Sequence, residues 1–273
     1  MGETRSLTHH GPHANHKDWS MENSHAGPVP ASASQAFHGA EPFRARLEHE
    51  GMSQADPQAL PEGDGHPVII IPGPASDKRS LLPLRNCCEA LGYAVYDWQQ
   101  GFNVGPQGDI DEWLHNLAEH VRGVVSLHSR RVSLVGWSLG GFYAREIAKL
   151  RPPLVRQVLT LGTPTADNRQ ETHVTWLYRL VNGKAPFVDD QLATRLSTTP
   201  PVPTTSIYSR TDGVVAWQTC LLDGSVQAED VAVDSSHMGL PWSPQVLRIV
   251  ADRLGQPEDA WQRGGQAAAA HDD

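Results

Sequence analysis

The segment LVGWSLGG, residues 134–141, joins a strand-sized apolar run to a helical pattern of apolar residues. Its G-x-S-x-G spacing places Ser138 between two glycines, which is typical of a sharp turn from a buried strand into a helix. Glycine leaves room for such a turn, and the turn holds the serine hydroxyl clear of the sheet. Because the first amides of the helix favour negative charge there, the segment predicts a serine placed for nucleophilic chemistry.

On both sides of this segment, short β-branched runs alternate with helical patterns, which predicts an α/β fold with a mostly parallel sheet. Helices are expected on both faces of the sheet: one carries apolar residues three or four apart from Ile110 to Val125, one starts at Leu139 and stops before Pro152, and one spans about Ser243 to Leu254. The six predicted strands are Pro67 to Pro72, Tyr93 to Asp97, Arg131 to Gly136, Arg156 to Gly162, Thr204 to Ser209 and Asp230 to Asp234.

The chain divides into one domain and two polar ends. Residues 1–62 are rich in His, Ser, Pro and Gly and predict a disordered or loosely docked leader, with metal binding by its histidines as the alternative. Residues 263–273 predict a disordered tail, which leaves 63–262 as the domain. Within it, residues 163–203 are too long and too apolar for a plain connection, so we expect a small helical cap there.

The composition narrows the classes of partner. Lys and Arg total 22 against 31 Asp and Glu, a net charge of −9 with His neutral, so no nucleic-acid partner is expected. No run approaches the roughly 18 apolar residues that span a bilayer, so we expect no integral membrane segment. Residues 1–30 hold no apolar signal sequence and the cysteine count is odd, which favours a cytoplasmic location. The oligomeric state stays open.

A serine at its ordinary pKa needs a base to take its proton and an acid to orient that base. The chain order that accompanies this type of turn is serine, acid, histidine. Asp212 and His237 follow successive predicted strands, at the sheet edge where open α/β sheets collect functional groups. Taken singly, each is equally explained as a turn or loop residue. Asp234 and Asp223 are the rival acids.

A negatively charged intermediate needs hydrogen-bond donors, and the amide of Leu139 is the first candidate. The second is expected from the loop after the first strand, PGPASD at residues 72–77. Pro74 stands at the expected place and has no N–H. Either Ala75 supplies the amide through a shifted loop, or the site has one donor fewer.

From about Pro67 to Gln262 the chain resembles the α/β-hydrolase superfamily, in its bacterial lipase and esterase branch. The motifs that carry the resemblance are IPG at 71–73, GWSLGG at 136–141, YSRTDGVV at 208–215 and SHMGL at 236–240. The resemblance implies Ser138 as nucleophile, Asp212 as acid and His237 as base, with no metal and no other cofactor.

The expected function is hydrolysis of a small-molecule acyl ester through an acyl-enzyme on Ser138. Thioester hydrolysis, amide hydrolysis and acyl transfer need the same residues, and the sequence leaves the substrate and acyl-chain length open. A catalytically weak ligand-binding protein of the same fold is the alternative from another class. Candidates for the acyl pocket are Trp137, Phe102 and Met238, although such side chains more often pack in a core.

Overall fold

The computed structural model describes residues 60–165, 195 and 197–264. The predicted leader up to residue 59, most of the predicted cap and the tail from residue 265 lie outside the described residues.

A six-stranded parallel sheet forms the centre of the domain, in the order β2-β1-β3-β4-β5-β6. All six predicted strands are confirmed, and their ends differ from the predicted ones by at most two residues. The strands are β1 Pro67–Ile71, β2 Ala94–Asp97, β3 Val132–Trp137, β4 Val155–Leu161, β5 Thr204–Ser209 and β6 Ala228–Val233.

The described residues form four helices, three of which are the predicted ones. The Asp109 side chain accepts hydrogen bonds from two amides at the start of the helix that follows it. The helix after Ser138 ends before Pro152, as expected near proline. The helices are α1 Leu82–Ala90, α2 Ile110–His128, α3 Leu139–Leu150 and α4 Pro244–Leu254, with short 3-10 turns at Lys78–Leu81, Pro152–Leu154 and Trp217–Cys220.

Alternate residues of β1 face opposite sides of the sheet and enter two separate apolar cores. Ile69 and Ile71 join the core formed with α2 and α3, whereas Val68 and Ile70 join the core formed with α1 and α4. Both faces of the strand are therefore covered, which explains its continuous apolar run. In the part of the chain that the structure describes, no helix is both long and apolar enough to cross a membrane.

Residues near both ends of the described range contact the domain. Leu60 packs against the second core, and the Gly63 amide donates to the Leu91 carbonyl at 2.7 Å. At the other end, the Gly264 amide donates to Glu229 Oε2 at 2.9 Å. These contacts join both ends of the described range to the domain.

A buried polar network joins the amino ends of β1 and β3. The His66 ring contacts Asp64 Oδ1 through Nδ1 at 2.5 Å and Ser133 Oγ through Nε2 at 2.7 Å. Arg130 and Arg156 both donate to Asp64 Oδ2. Burial lowers the pKa of His66 to about 4, even though the hydrogen bond with Asp64 opposes this shift. Because His66 and Ser133 are both fully buried, their contact joins the amino ends of β1 and β3 away from solvent.

Candidate active site

Ser138 occupies the turn between β3 and α3 with φ 53° and ψ −118°, a backbone conformation that residues other than glycine rarely adopt. The turn is tight on both sides. A Cβ atom at Gly136 would run into the backbone of Gly140, and one at Gly140 would run into the Ile71 carbonyl. Glycine is therefore required at both flanks, because the two backbone segments touch.

The Ser138 hydroxyl is buried, and its Oγ has no hydrogen bond to any residue that the structure describes. A buried polar group without a partner costs about 1–3 kcal/mol, so such groups are rare and often mark functional sites. The hydroxyl lies at the amino end of α3, where helical amides favour negative charge. This environment suits an oxygen that is to become a nucleophile.

Asp212 and His237 form a buried acid–base pair. Asp212 Oδ2 lies 2.6 Å from His237 Nδ1, and the two side chains are 2% and 4% exposed. The other carboxylate oxygen, Oδ1, accepts from the amides of Val214 and Val215 at 2.8 and 2.7 Å. The carboxylate is thus fixed by the turn after β5, and with Nδ1–H donated to it the lone pair of the ring lies on Nε2.

Contacts on two sides place this pair next to the Ser138 turn. Trp137, the residue before the serine, donates from Nε1 to the His237 carbonyl at 3.1 Å. Gly162 lies close to the acid–base pair, since a Cβ atom there would be 3.1 Å from His237 Nδ1 and 3.2 Å from Asp212 Oδ2. Leu161, one residue earlier, accepts the Ser138 amide at 2.8 Å. The structure therefore brings the three predicted catalytic residues to one place at the carboxyl edge of the sheet.

The two rival acids are engaged elsewhere. Asp234 is exposed and its Oδ1 accepts from Thr211 Oγ1 at 2.8 Å. Asp223 accepts from the amides of Thr199 and Ser225 at 3.2 and 3.1 Å. Asp212 is accordingly the acid that the described contacts place on the histidine.

Ala75, which the sequence predicts as a second oxyanion donor, has its amide engaged in the loop after β1. Its amide donates to the Asn103 carbonyl at 2.8 Å and is used inside the loop. Asn103 is fully buried, accepts and donates along this loop, and also donates from Nδ2 to the Pro72 carbonyl at 2.8 Å. The sequence did not reveal this residue, because its only signal was a place in the loop after β2.

The three candidate pocket residues differ in placement. Trp137 is 3% exposed, packs in the second core and supports the histidine loop through its Nε1 hydrogen bond. Phe102 and Met238 are 54% and 40% exposed. Phe102 borders a cavity of about 510 Å³ together with Asp77 and Asp97, at the end of β2. Ser138, Asp212 and His237 are not among the residues that line this cavity.

The strand order, the serine turn after β3 and the placement of functional groups after β5 and β6 define the α/β-hydrolase fold, as the sequence resemblance predicted. Solved structures agree. Aspergillus fumigatus lipase B gives a TM-score of 0.53 at 17% identity, covering 77% of this chain and 58% of that one. A chain from the structures of LipS and LipT, two metagenome-derived lipolytic enzymes, gives 0.51 at 15% identity, covering 71% and 95%. The monoacylglycerol lipase of Paleococcus ferrophilus gives 0.51 at 12% identity, covering 71% and 96%.

Likeness at these identities shows the fold alone. Among curated proteins, the biotin biosynthesis bifunctional protein BioHC of Teredinibacter turnerae is 27% identical over 153 residues, which are 54% of this chain and 24% of that protein. The chain thus matches about a quarter of the length of that relative. No protein-family profile matches the chain.

Proposed function

We propose that the protein is a serine hydrolase that cleaves carboxylic esters through an acyl-enzyme on Ser138. The observation that carries this proposal is the buried contact of 2.6 Å between Asp212 and His237, beside a strained serine whose hydroxyl has no hydrogen bond to a described residue. An oriented base next to a nucleophile is the arrangement that covalent catalysis needs.

In the first half-reaction, His237 Nε2 takes the proton of Ser138 Oγ while that oxygen attacks the carbonyl carbon of the ester. The negative charge that forms on the carbonyl oxygen is stabilised by the Leu139 amide at the start of α3. The intermediate collapses, the alcohol leaves with the proton from His237, and the acyl group stays on Ser138. Asp212 remains ionised throughout and stabilises the imidazolium.

In the second half-reaction, water takes the place of the alcohol. His237 removes a proton from the water as its oxygen attacks the acyl carbon. The carboxylic acid then leaves and Ser138 regains its proton. The sum is ester plus water to acid plus alcohol.

The proposal adds one movement to the described conformation. Ser138 Oγ makes no hydrogen bond to a described residue there, so its hydroxyl and the histidine ring must come into hydrogen-bond reach when substrate binds. Such catalytic hydrogen bonds often tighten only when substrate is bound. The lipases among the structural neighbours support an ester as the substrate class.

Labelling with a fluorophosphonate probe, together with hydrolysis of p-nitrophenyl esters of increasing acyl length, tests the proposal. The wild-type protein is expected to react with the probe and to hydrolyse the esters, whereas Ser138→Ala is expected to do neither. Ser133→Ala is the matched control, because Ser133 is another buried serine at the other end of β3, with its Oγ 2.7 Å from His66 Nε2. Labelling of Ser138→Ala, or its loss in folded Ser133→Ala, would refute the assignment.

The engaged Ala75 amide and the missing N–H of Pro74 favour one second candidate, a catalytically weak protein of this fold that binds an acyl ligand. If this second candidate is correct, the wild-type protein binds a fatty acid but does not react with the fluorophosphonate probe.

A further inference from the structure

The turn that follows β4 contacts the turn that carries Ser138. Its residue Thr163 is 1% exposed, and its hydroxyl donates from Oγ1 to the Ser138 carbonyl at 2.8 Å. No local sequence pattern links the two residues, which lie on consecutive strand ends.

The second glycine of the GG pair makes room for this hydroxyl. A Cβ atom at Gly141 would run into Thr163 Oγ1 and lie 2.9 Å from Thr163 Cβ. The gap left by that glycine is therefore filled by the threonine side chain. Gly141 and Thr163 form one packed unit with the serine turn.

Among the described residues, three hydrogen bonds hold the strained backbone of Ser138. Its amide donates to the Leu161 carbonyl at 2.8 Å, and its carbonyl accepts from the Gly141 amide at 3.0 Å and from Thr163 Oγ1 at 2.8 Å. Strained conformations persist only where the surroundings fix them. Only the bond from Thr163 comes from a side chain, so it is the one bond that a substitution removes cleanly.

The carbonyl of Ser138 and the amide of Leu139 belong to one planar peptide unit. A donor that fixes the direction of the carbonyl therefore also fixes the N–H that points the opposite way. Bonding at the carbonyl also polarises the peptide and strengthens its N–H as a donor.

We propose that Thr163 is a positioning residue, which orients and polarises the peptide whose N–H, at Leu139, stabilises the oxyanion. This inference rests on the proposed function, since it concerns the same reaction. Pro74 has no N–H and the described Ala75 amide is bonded to Asn103, so the orientation of the Leu139 amide matters more here.

The test compares Thr163→Val, which keeps the shape and removes the hydroxyl, with Thr163→Ser, which keeps the hydroxyl. Thr204→Val is the matched control, because Thr204 is also fully buried and donates to a backbone carbonyl, that of Val202 at 2.9 Å, at the amino end of β5. Each variant is measured for kcat and KM on a p-nitrophenyl ester, for its rate of fluorophosphonate labelling, and for Tm.

We expect Thr163→Val to lower kcat and the labelling rate about tenfold, the effect of one hydrogen bond, with KM changed less than about twofold. A donor that acts on the transition state changes kcat and leaves substrate binding alone. Thr163→Ser is expected to recover most of the rate. Thr204→Val is expected to lower Tm alone.

An unchanged kcat in folded Thr163→Val, a Thr163→Ser variant as slow as the valine variant, or an equal loss of kcat in Thr204→Val would each overturn the proposal. If wild type labels and Ser138→Ala does not, these results refute the role of Thr163 and leave the serine hydrolase intact. If the wild-type protein does not react with the fluorophosphonate probe at all, both proposals are refuted.

Discussion

Replacing Asp212 by Asn changes the charge of the acid while keeping its shape. The Asn carbonyl oxygen can still accept the amides of Val214 and Val215, which lie 2.8 and 2.7 Å from Asp212 Oδ1. The amide nitrogen then faces His237 Nδ1, where a carboxylate oxygen now lies at 2.6 Å. Two N–H donors cannot share that contact, so the ring must carry its proton on Nε2 instead.

The expected loss follows from that change of tautomer. With the proton on Nε2, the ring cannot take the proton of Ser138, and the imidazolium also loses the carboxylate that stabilises it. This substitution in a Ser-His-Asp triad lowers kcat by about 10⁴-fold, which corresponds to about 5 kcal/mol of transition-state stabilisation. Because the two turn amides keep an acceptor, we expect Asp212→Asn to fold.

The assay measures kcat on a p-nitrophenyl ester, with thermal melting as the check on folding. Asp234→Asn is the matched control, since Asp234 lies three residues before His237 but bonds to Thr211 and is exposed. We expect the kcat of the control to stay within about twofold of the wild-type kcat, because surface substitutions usually have small effects. The reasoning would be refuted if folded Asp212→Asn kept more than about a tenth of the wild-type kcat, or if Asp234→Asn lost as much.

Three further changes test other parts of the structure. The folded-state pKa of His66, about 4, lies below its ordinary value of 6.5, so the unfolded chain takes up the proton first. The free energy of unfolding should therefore stay level above pH 6.5 and fall below it, by about 2 kcal/mol between pH 7 and pH 5. Urea titrations should show a smaller fall in His66→Asn, and equal falls would contradict this. Pro74→Ala adds the missing N–H, and we expect kcat to rise about tenfold, part of the roughly 10²-fold effect of a well-placed donor. An unchanged kcat in the folded variant would mean that the oxyanion site is complete without it. Gly162→Ala strains a backbone at φ 55° and places a Cβ against the acid–base pair, so Tm and kcat should both fall, kcat about tenfold. Gly224→Ala has a similar φ of 75° with open space around it and should lower Tm alone; equal kcat losses would speak against a special role of Gly162.

The serine turn and the six strands were predictable because they depend on local chemistry. A parallel strand covered on both faces needs a continuous apolar run, as in Val68 to Ile71. A turn as tight as that at Ser138 excludes side chains at its flanks, so glycine at 136 and 140 marks it in the sequence. The order of the functional groups along the chain also follows from the order of the strand ends. These features depend on neighbouring residues, so they can be predicted without knowledge of distant contacts.

The contacts between distant segments were decided only in three dimensions. The choice of Asp212 over Asp234 depends on how the turns after β5 and β6 lie beside each other, since those strands pair in register from Thr204 and Ala228 onward. The engagement of the Ala75 amide by Asn103 and the bond from Thr163 to the serine carbonyl likewise join loops from different strands. Periodicity and spacing report which face of an element is buried, but the path of a loop is set by the strands that pack beside it. The sequence alone therefore predicted Ser138, Asp212 and His237 as candidates, and the tertiary structure determined which atoms meet and which further residues join them.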